Sequence, residues 1–238
     1  MNKPEHINPV DWQLLTAKYN ETEINEKLKE HYPIQYMIGN VNFYGYEILV
    51  DKRVFIPRPE TELLVETTWN MIKEEKNLKI IDVCSGSGCI AISLSKLLNQ
   101  PVTAIEKSTE AITLATKSAK LNEASVDFQN KDIFEESYLD YDVIISNPPY
   151  VFEADEEVDI ETKYEPQMAF FAENEGLSFY EHILKISNPN AKLIAFEIGA
   201  YQGEKVAKIA GKYFPGNKIT IKQDLTNRTR YVFIEKMN

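Results

Sequence analysis

From Lys79 onward the chain alternates short runs of branched apolar residues with amphipathic stretches, and few folds accept such an order. The apolar runs predict strands over 80–83, 102–105, 126–128, 143–145 and 193–197. The amphipathic stretches between and after them predict helices over 89–98, 109–121, 177–186 and 203–213. Strand and helix in strict rotation imply parallel strands joined by helical crossovers, hence a doubly wound, mostly parallel α/β sheet. Two late strands, 219–222 and 230–235, are joined by a connection too short for a crossover, so the last pair is expected to be antiparallel.

Upstream, Asn8-Pro9 reads as a helix start, with Trp12, Leu15 and Tyr19 on one face. Thr22 is expected to cap a second helix bearing Ile24 and Leu28 and ended by Pro33. These two helices are too small to hold a core of their own and should pack on something else. Runs 41–44 and 46–50 flank Gly45 as a β-hairpin, and Pro57-Arg58-Pro59-Glu60-Thr61-Glu62 leads into a helix over about 62–76. Leu63, Leu64, Val65, Trp69 and Ile72 form its broad apolar face. The expected division is a short helical segment over 1–32, a hairpin linker over 33–57 and the α/β domain over 58–238. The irregular segment 151–175 is long for a compact domain and reads as a functional loop.

Composition removes several classes of function. Cys84 and Cys89 are too few for a disulfide framework or a closed zinc site, and read as small core residues. His6, His31 and His182 are scattered, which disfavours a histidine-dependent hydrolase; no metal is expected. The start, Met1 to His6, lacks the apolar core of a signal peptide, and no run approaches a membrane span, so a cytoplasmic setting is expected. A net charge of −11 opposes phosphate binding, so no stable nucleic-acid complex is expected.

Chemistry concentrates at the carboxyl ends of the strands. After the buried run ending at Ile145 comes Ser146-Asn147-Pro148-Pro149-Tyr150. Asn147 and Pro148 each precede a proline and are held extended, and neither proline has an N–H. The segment is thus a stiff tip of hydrogen-bond acceptors with Tyr150 as a flat wall, fit to grip the NH2 of an amide or exocyclic amine. Asp82-Val83-Cys84-Ser85-Gly86-Ser87-Gly88-Cys89 joins the first core strand to its helix, where small residues admit a ligand and the helix N-terminus favours a carboxylate. Glu106 ends the second strand, where an acid can take both ribose hydroxyls, or simply stand in solvent. Asp132, beside Ile133, can accept from an adenine amine or cap a helix. Open α/β sheets bind ligands along this edge.

These stretches resemble the motif series of S-adenosylmethionine-dependent methyltransferases. Gln35-Tyr36-Met37-Ile38-Gly39, Phe43-Tyr44-Gly45, Ile56 to Glu62, and Glu165-Pro166-Gln167-Met168-Ala169 narrow the likeness to the HemK/PrmC family, over about residues 32–235. Cys84 stands where that family commonly has glycine, and the family's helical N-terminal bundle is represented by only about 30 residues before Tyr32. The resemblance implies a Rossmann-like sheet and N5-methylation of the glutamine in the Gly-Gly-Gln loop of peptide chain release factors, with S-adenosyl-L-homocysteine as coproduct. It also implies a division of roles. Cys84, Ser85, Gly86, Ser87 and Gly88 would hold the methionine end of the cofactor, Glu106 the ribose, and Asp132 with Ile133 the adenine. Asn147 would lie beside the cofactor. Asn147, Pro148, Pro149 and Tyr150 would hold the substrate amide, with Asn147, Pro148 and Tyr150 catalytic; Arg58 and Glu60 would brace the site. The alternatives are an amino methyltransferase acting on adenine or guanine in DNA or RNA, and a dinucleotide-binding module.

Overall fold

The computed structural model describes residues 3–4, 7–152 and 160–237; His6 and positions 153–159 of the long irregular segment lie outside them. The chain opens with α1 (Pro9–Lys18), α2 (Glu21–Lys29) and the short α3 (Ile34–Ile38). Asn8 caps α1, its side chain accepting from the Asp11 N–H. α2 begins earlier than the sequence reading placed it. Asn20, not Thr22, is the cap, because Asn20 and Glu23 form a reciprocal capping box. α3 was not foreseen; Gly39, at φ 92°, ends it in the left-handed conformation. It is what the first two helices pack on, as their small size led one to expect, since Met37 and Ile38 of α3 join Ile7, Leu15 and Ile24 in a small buried cluster.

The hairpin pairs β1 (Asn40–Phe43) with β2 (Tyr46–Leu49), and Tyr44 belongs to the turn: Tyr44 and Gly45 both have positive φ, as a tight two-residue turn demands. The hairpin sits on the α/β unit. The Leu49 and Glu47 N–H groups donate to the side chains of Ser118 and Asn122. Phe43, Ile48, Val50, Val54 and Ile56 join the main core. The next helix, α4 (Pro59–Ile72), starts a turn before the expected position because Pro59 supplies a preformed first helical residue.

Seven strands follow the alternation: β3 (Ile80–Val83), β4 (Val102–Glu106), β5 (Val126–Asn130), β6 (Val143–Ser146), β7 (Leu193–Glu197), β8 (Lys218–Gln223) and β9 (Thr229–Glu235). Between them lie α5 (Cys89–Leu98), α6 (Thr109–Leu121), the single turn α7 (Glu173–Gly176), α8 (Ser178–Ile186) and α9 (Gly203–Tyr213). The sheet order is β5-β4-β3-β6-β7-β9-β8. The first five are parallel, and β9 runs antiparallel between β7 and β8. Successive residues of a strand feed opposite faces. Ile80, Val143, Ile145 and Ala195 pack towards α4, α5 and α6, while Ile81, Ile144, Ile194 and Phe196 pack towards α8 and α9. Burial on both faces explains the unbroken apolar runs of the central strands. The chain crosses from β3 to β4 on one side and reaches β6 on the other, so the carboxyl ends of these strands border a crevice at the point where strand order reverses.

Candidate active site

A cleft of about 650 Å³ opens over that edge, a size suited to a small-molecule cofactor. One wall is the turn after β3. Cys84 there has φ 61° and Gly86 φ 52°, so both adopt the left-handed region that glycine tolerates best. Glycine would enter this turn at less steric cost than a residue with a Cβ. Cys84 is half-buried on the cleft and is therefore not the simple core residue the composition suggested; Cys89 is buried. A Cβ on Gly86 would meet no atom within 4 Å, which leaves its backbone open to a ligand. Gly88 also has a packing role. It does not line the cleft, and a Cβ there would lie 2.9 Å from Cζ of Phe128.

Glu106, at the end of β4, accepts from the Gly86 N–H at 2.9 Å through Oε2 and from the Ser108 N–H at 2.8 Å through Oε1. The carboxylate thus shapes the glycine turn while still lining the cleft. Asp132 resolves the choice between cap and acceptor by being placed for both. It caps a short turn by accepting from the Phe134 N–H and pairs with Lys107 Nζ at 2.7 Å, yet it lines the cleft beside Ile133. The Lys107 ammonium holds its carboxyl below the usual aspartate range. Ser85, buried on the wall, has a hydroxyl without a hydrogen-bond partner, as does Oδ1 of Asp82 beneath the same turn. Unsatisfied buried polar atoms cost stability unless a ligand completes them. An unpartnered hydroxyl at a left-handed turn, with an acid at the next strand end, fits a ligand carrying a carboxylate and a diol.

The opposite wall is Asn147, Pro148, Pro149 and Tyr150, directly after β6. Ser146 anchors the strand end, its hydroxyl donating to the Val83 carbonyl at 2.6 Å. Asn147 Nδ2 donates to Thr61 Oγ1 at 3.2 Å, and the Thr61 hydroxyl donates to Glu197 Oε2 at 2.7 Å. The amide nitrogen therefore faces protein, and Oδ1 is left for the cleft. No hydrogen bond from a described residue reaches the Pro148 carbonyl. The Tyr150 carbonyl is held by Gln202 Nε2 at 3.0 Å. Burial, with Glu197 nearby, pushes the Tyr150 phenol up to about 12, so it stays neutral.

Arg58 braces the cleft as expected: it pairs with the buried Glu165 at 2.5 Å and lies over the Phe55 ring. Glu165 also accepts from the Ile56 N–H at 2.9 Å. Glu60 lines the cleft, and its backbone carbonyl accepts from Tyr231. Sequence reasoning missed Thr61 and Glu197. Glu197 had a signal: an acid closing a wholly apolar strand, the same anomaly that singled out Glu106. The four arginines of the chain, at 53, 58, 228 and 230, all line this cleft. Among the described residues no cluster of histidine, cysteine and acids could hold a metal ion.

A family model described as "Methyltransferase small domain" matches residues 59–167. The release factor glutamine methyltransferase of Lactococcus lactis is 40% identical over 244 residues, covering 96% of this chain and 89% of that protein. That of Flavobacterium psychrophilum is 42% identical over 245 residues, covering 97% of this chain and 81% of the relative. This chain belongs to the release factor glutamine methyltransferase family. Among solved structures, a methyltransferase from Pyrococcus furiosus superposes with a TM-score of 0.55 at 18% identity, covering 81% of this chain and 90% of that one. At that identity the likeness reports the fold alone.

Proposed function

We infer that this chain transfers a methyl group from S-adenosyl-L-methionine to the side-chain amide nitrogen of the glutamine in the Gly-Gly-Gln loop of a peptide chain release factor. The observation that carries the reading is the anchoring of Asn147 in the cleft wall, where its nitrogen is tied back to Thr61 and its oxygen is left to accept. Ser85 and Gly86 receive the methionine end of the cofactor, Glu106 the ribose hydroxyls, and Asp132 with Ile133 the adenine. The bound cofactor supplies an activated methyl group on sulfur.

The rest is orientation, because an amide nitrogen is a weak nucleophile whose lone pair is spread into its carbonyl. Asn147 Oδ1 and the Pro148 carbonyl accept the two amide hydrogens and favour the geometry in which conjugation is reduced. Pro149 stiffens the grip, and Tyr150 walls the amide plane. The two free cysteines fit a reducing, cytoplasmic compartment.

Mass spectrometry of a release factor incubated with enzyme and cofactor should find one added methyl on that glutamine and none on DNA or RNA supplied in parallel. A methyl on adenine or guanine, with the glutamine unmodified, would overturn the reading.

A further inference from the structure

The chain from Asn147 to Glu197 has a fixed direction. A carboxylate can only accept, so an ionised Glu197 obliges the Thr61 hydroxyl to donate to it at 2.7 Å. Thr61 Oγ1 is then free to accept from the Asn147 amide, which it does at 3.2 Å. Both Thr61 and Glu197 are buried at 2% exposure, so water does not stand in for either partner. An asparagine side chain is nearly symmetric in shape, and only its partners decide which end faces the cleft.

We propose that Glu197 is a positioning residue for catalysis, acting on Asn147 directly and through Thr61 to hold it with its oxygen, rather than its nitrogen, towards the substrate amide. This rests on the functional reading above. A protonated Glu197 can donate to Thr61, whose own hydrogen is then released to point at the Asn147 side chain. The polarity of the chain reverses, the asparagine turns its NH2 into the cleft, and the acceptor needed for the glutamine is lost.

The surroundings place that change near neutrality. Burial pushes the Glu197 carboxyl up to about 7, partly offset by the hydrogen bond from Thr61, the charge of Arg230 and a hydrogen bond from the Asn147 side chain itself. The groups facing it come from every neighbouring element. They are Arg230 and Tyr231 from β9, Glu60 from α4, Cys89 from α5, Tyr180 from α8, and Tyr150 after β6. Of these, Arg230 favours the ionised form and Glu60 opposes it.

The test is a pH–rate profile with a Gly-Gly-Gln peptide at saturating cofactor. The unsubstituted enzyme should lose kcat on the acid side with a midpoint near the ionisation of Glu197, at about 7. Glu197→Gln should turn over more slowly and lack that acid limb. Thr61→Val should lower kcat by about tenfold or more with KM for the cofactor little changed, and Thr61→Ser, which restores the hydroxyl, should recover most of that loss. An acid limb that persists in Glu197→Gln, or a Thr61→Val enzyme as fast as the unsubstituted one, overturns the relay alone. Failure of the unsubstituted enzyme to methylate glutamine overturns the functional reading and the relay with it. Should Thr61→Val fail to fold, as shown by its melting curve, the profile of Glu197→Gln decides.

Discussion

Two residues at opposite walls of the cleft separate cofactor binding from chemistry. Glu106→Ala removes a carboxylate that braces Gly86 and is assigned to the ribose, so cofactor affinity should fall by about 1.5–3 kcal/mol, the scale of a charge-assisted hydrogen bond. Asn147→Ala should leave that affinity nearly intact and cut turnover by roughly a hundredfold, equivalent to about 3 kcal/mol of orientation. Calorimetry and single-turnover rates on both variants check the pair. Unchanged affinity in the first, or a normal rate in the second, would reassign the residue concerned. At this scale much was readable from the primary structure. Glu106 and Asn147 stand out as polar groups after apolar runs, and Asp132 as an acid just beyond the third strand. The bond from Asn147 to Thr61 was not readable, because 86 residues separate the partners and only the packing of α4 against the sheet joins them. Gly88 resembles a ligand glycine in the string Ser85-Gly86-Ser87-Gly88, and only the position of Phe128 reveals that its lack of a side chain also matters for packing.

Among the elements, the strands and crossover helices were readable because burial on two faces or on one stripe leaves a hydrophobic signature. α3 was not, since five residues are too few to show a period. That helix governs what α1 and α2 do. Tyr19 donates from its hydroxyl to the Met37 carbonyl, Lys18 donates to the Ile38 carbonyl, and the Tyr164 hydroxyl donates to the Glu30 carbonyl. The first two helices therefore lie against both α3 and the segment that follows residue 159. Removing residues 1–31 should raise the apparent KM for an intact release factor more than for a short Gly-Gly-Gln peptide, if these helices dock the partner. Steady-state kinetics with both substrates decides it; equal changes would show that the helices only cover Met37 and Ile38.

For the whole molecule, the buried carboxylate behind the site has a thermodynamic consequence. The folded chain holds a proton on Glu197 up to about pH 7, whereas the unfolded chain releases it near the ordinary glutamate value of 4.5. Between those limits the folded state binds more protons, so stability falls as pH rises, by roughly 3 kcal/mol from this group. Glu197→Gln removes that loss. Its melting temperature should gain on that of the unsubstituted chain as pH rises from 5 to about 8, on the stated linkage. Parallel melting curves across that range would show that Glu197 ionises normally. The ionised, orienting form is thus the less stable form of the protein.

The strap from Ile56 to Thr61 is held at one end by Glu165, through the Ile56 N–H and the Arg58 guanidinium, and ends at the other in the hydroxyl that steadies Asn147. Pro57 and Pro59 fix two of its few soft torsions. A short, stiff link of this kind transmits displacement rather than absorbing it. A displacement of the segment carrying Glu165 would therefore be passed on to the side chain of Asn147 rather than lost along the way.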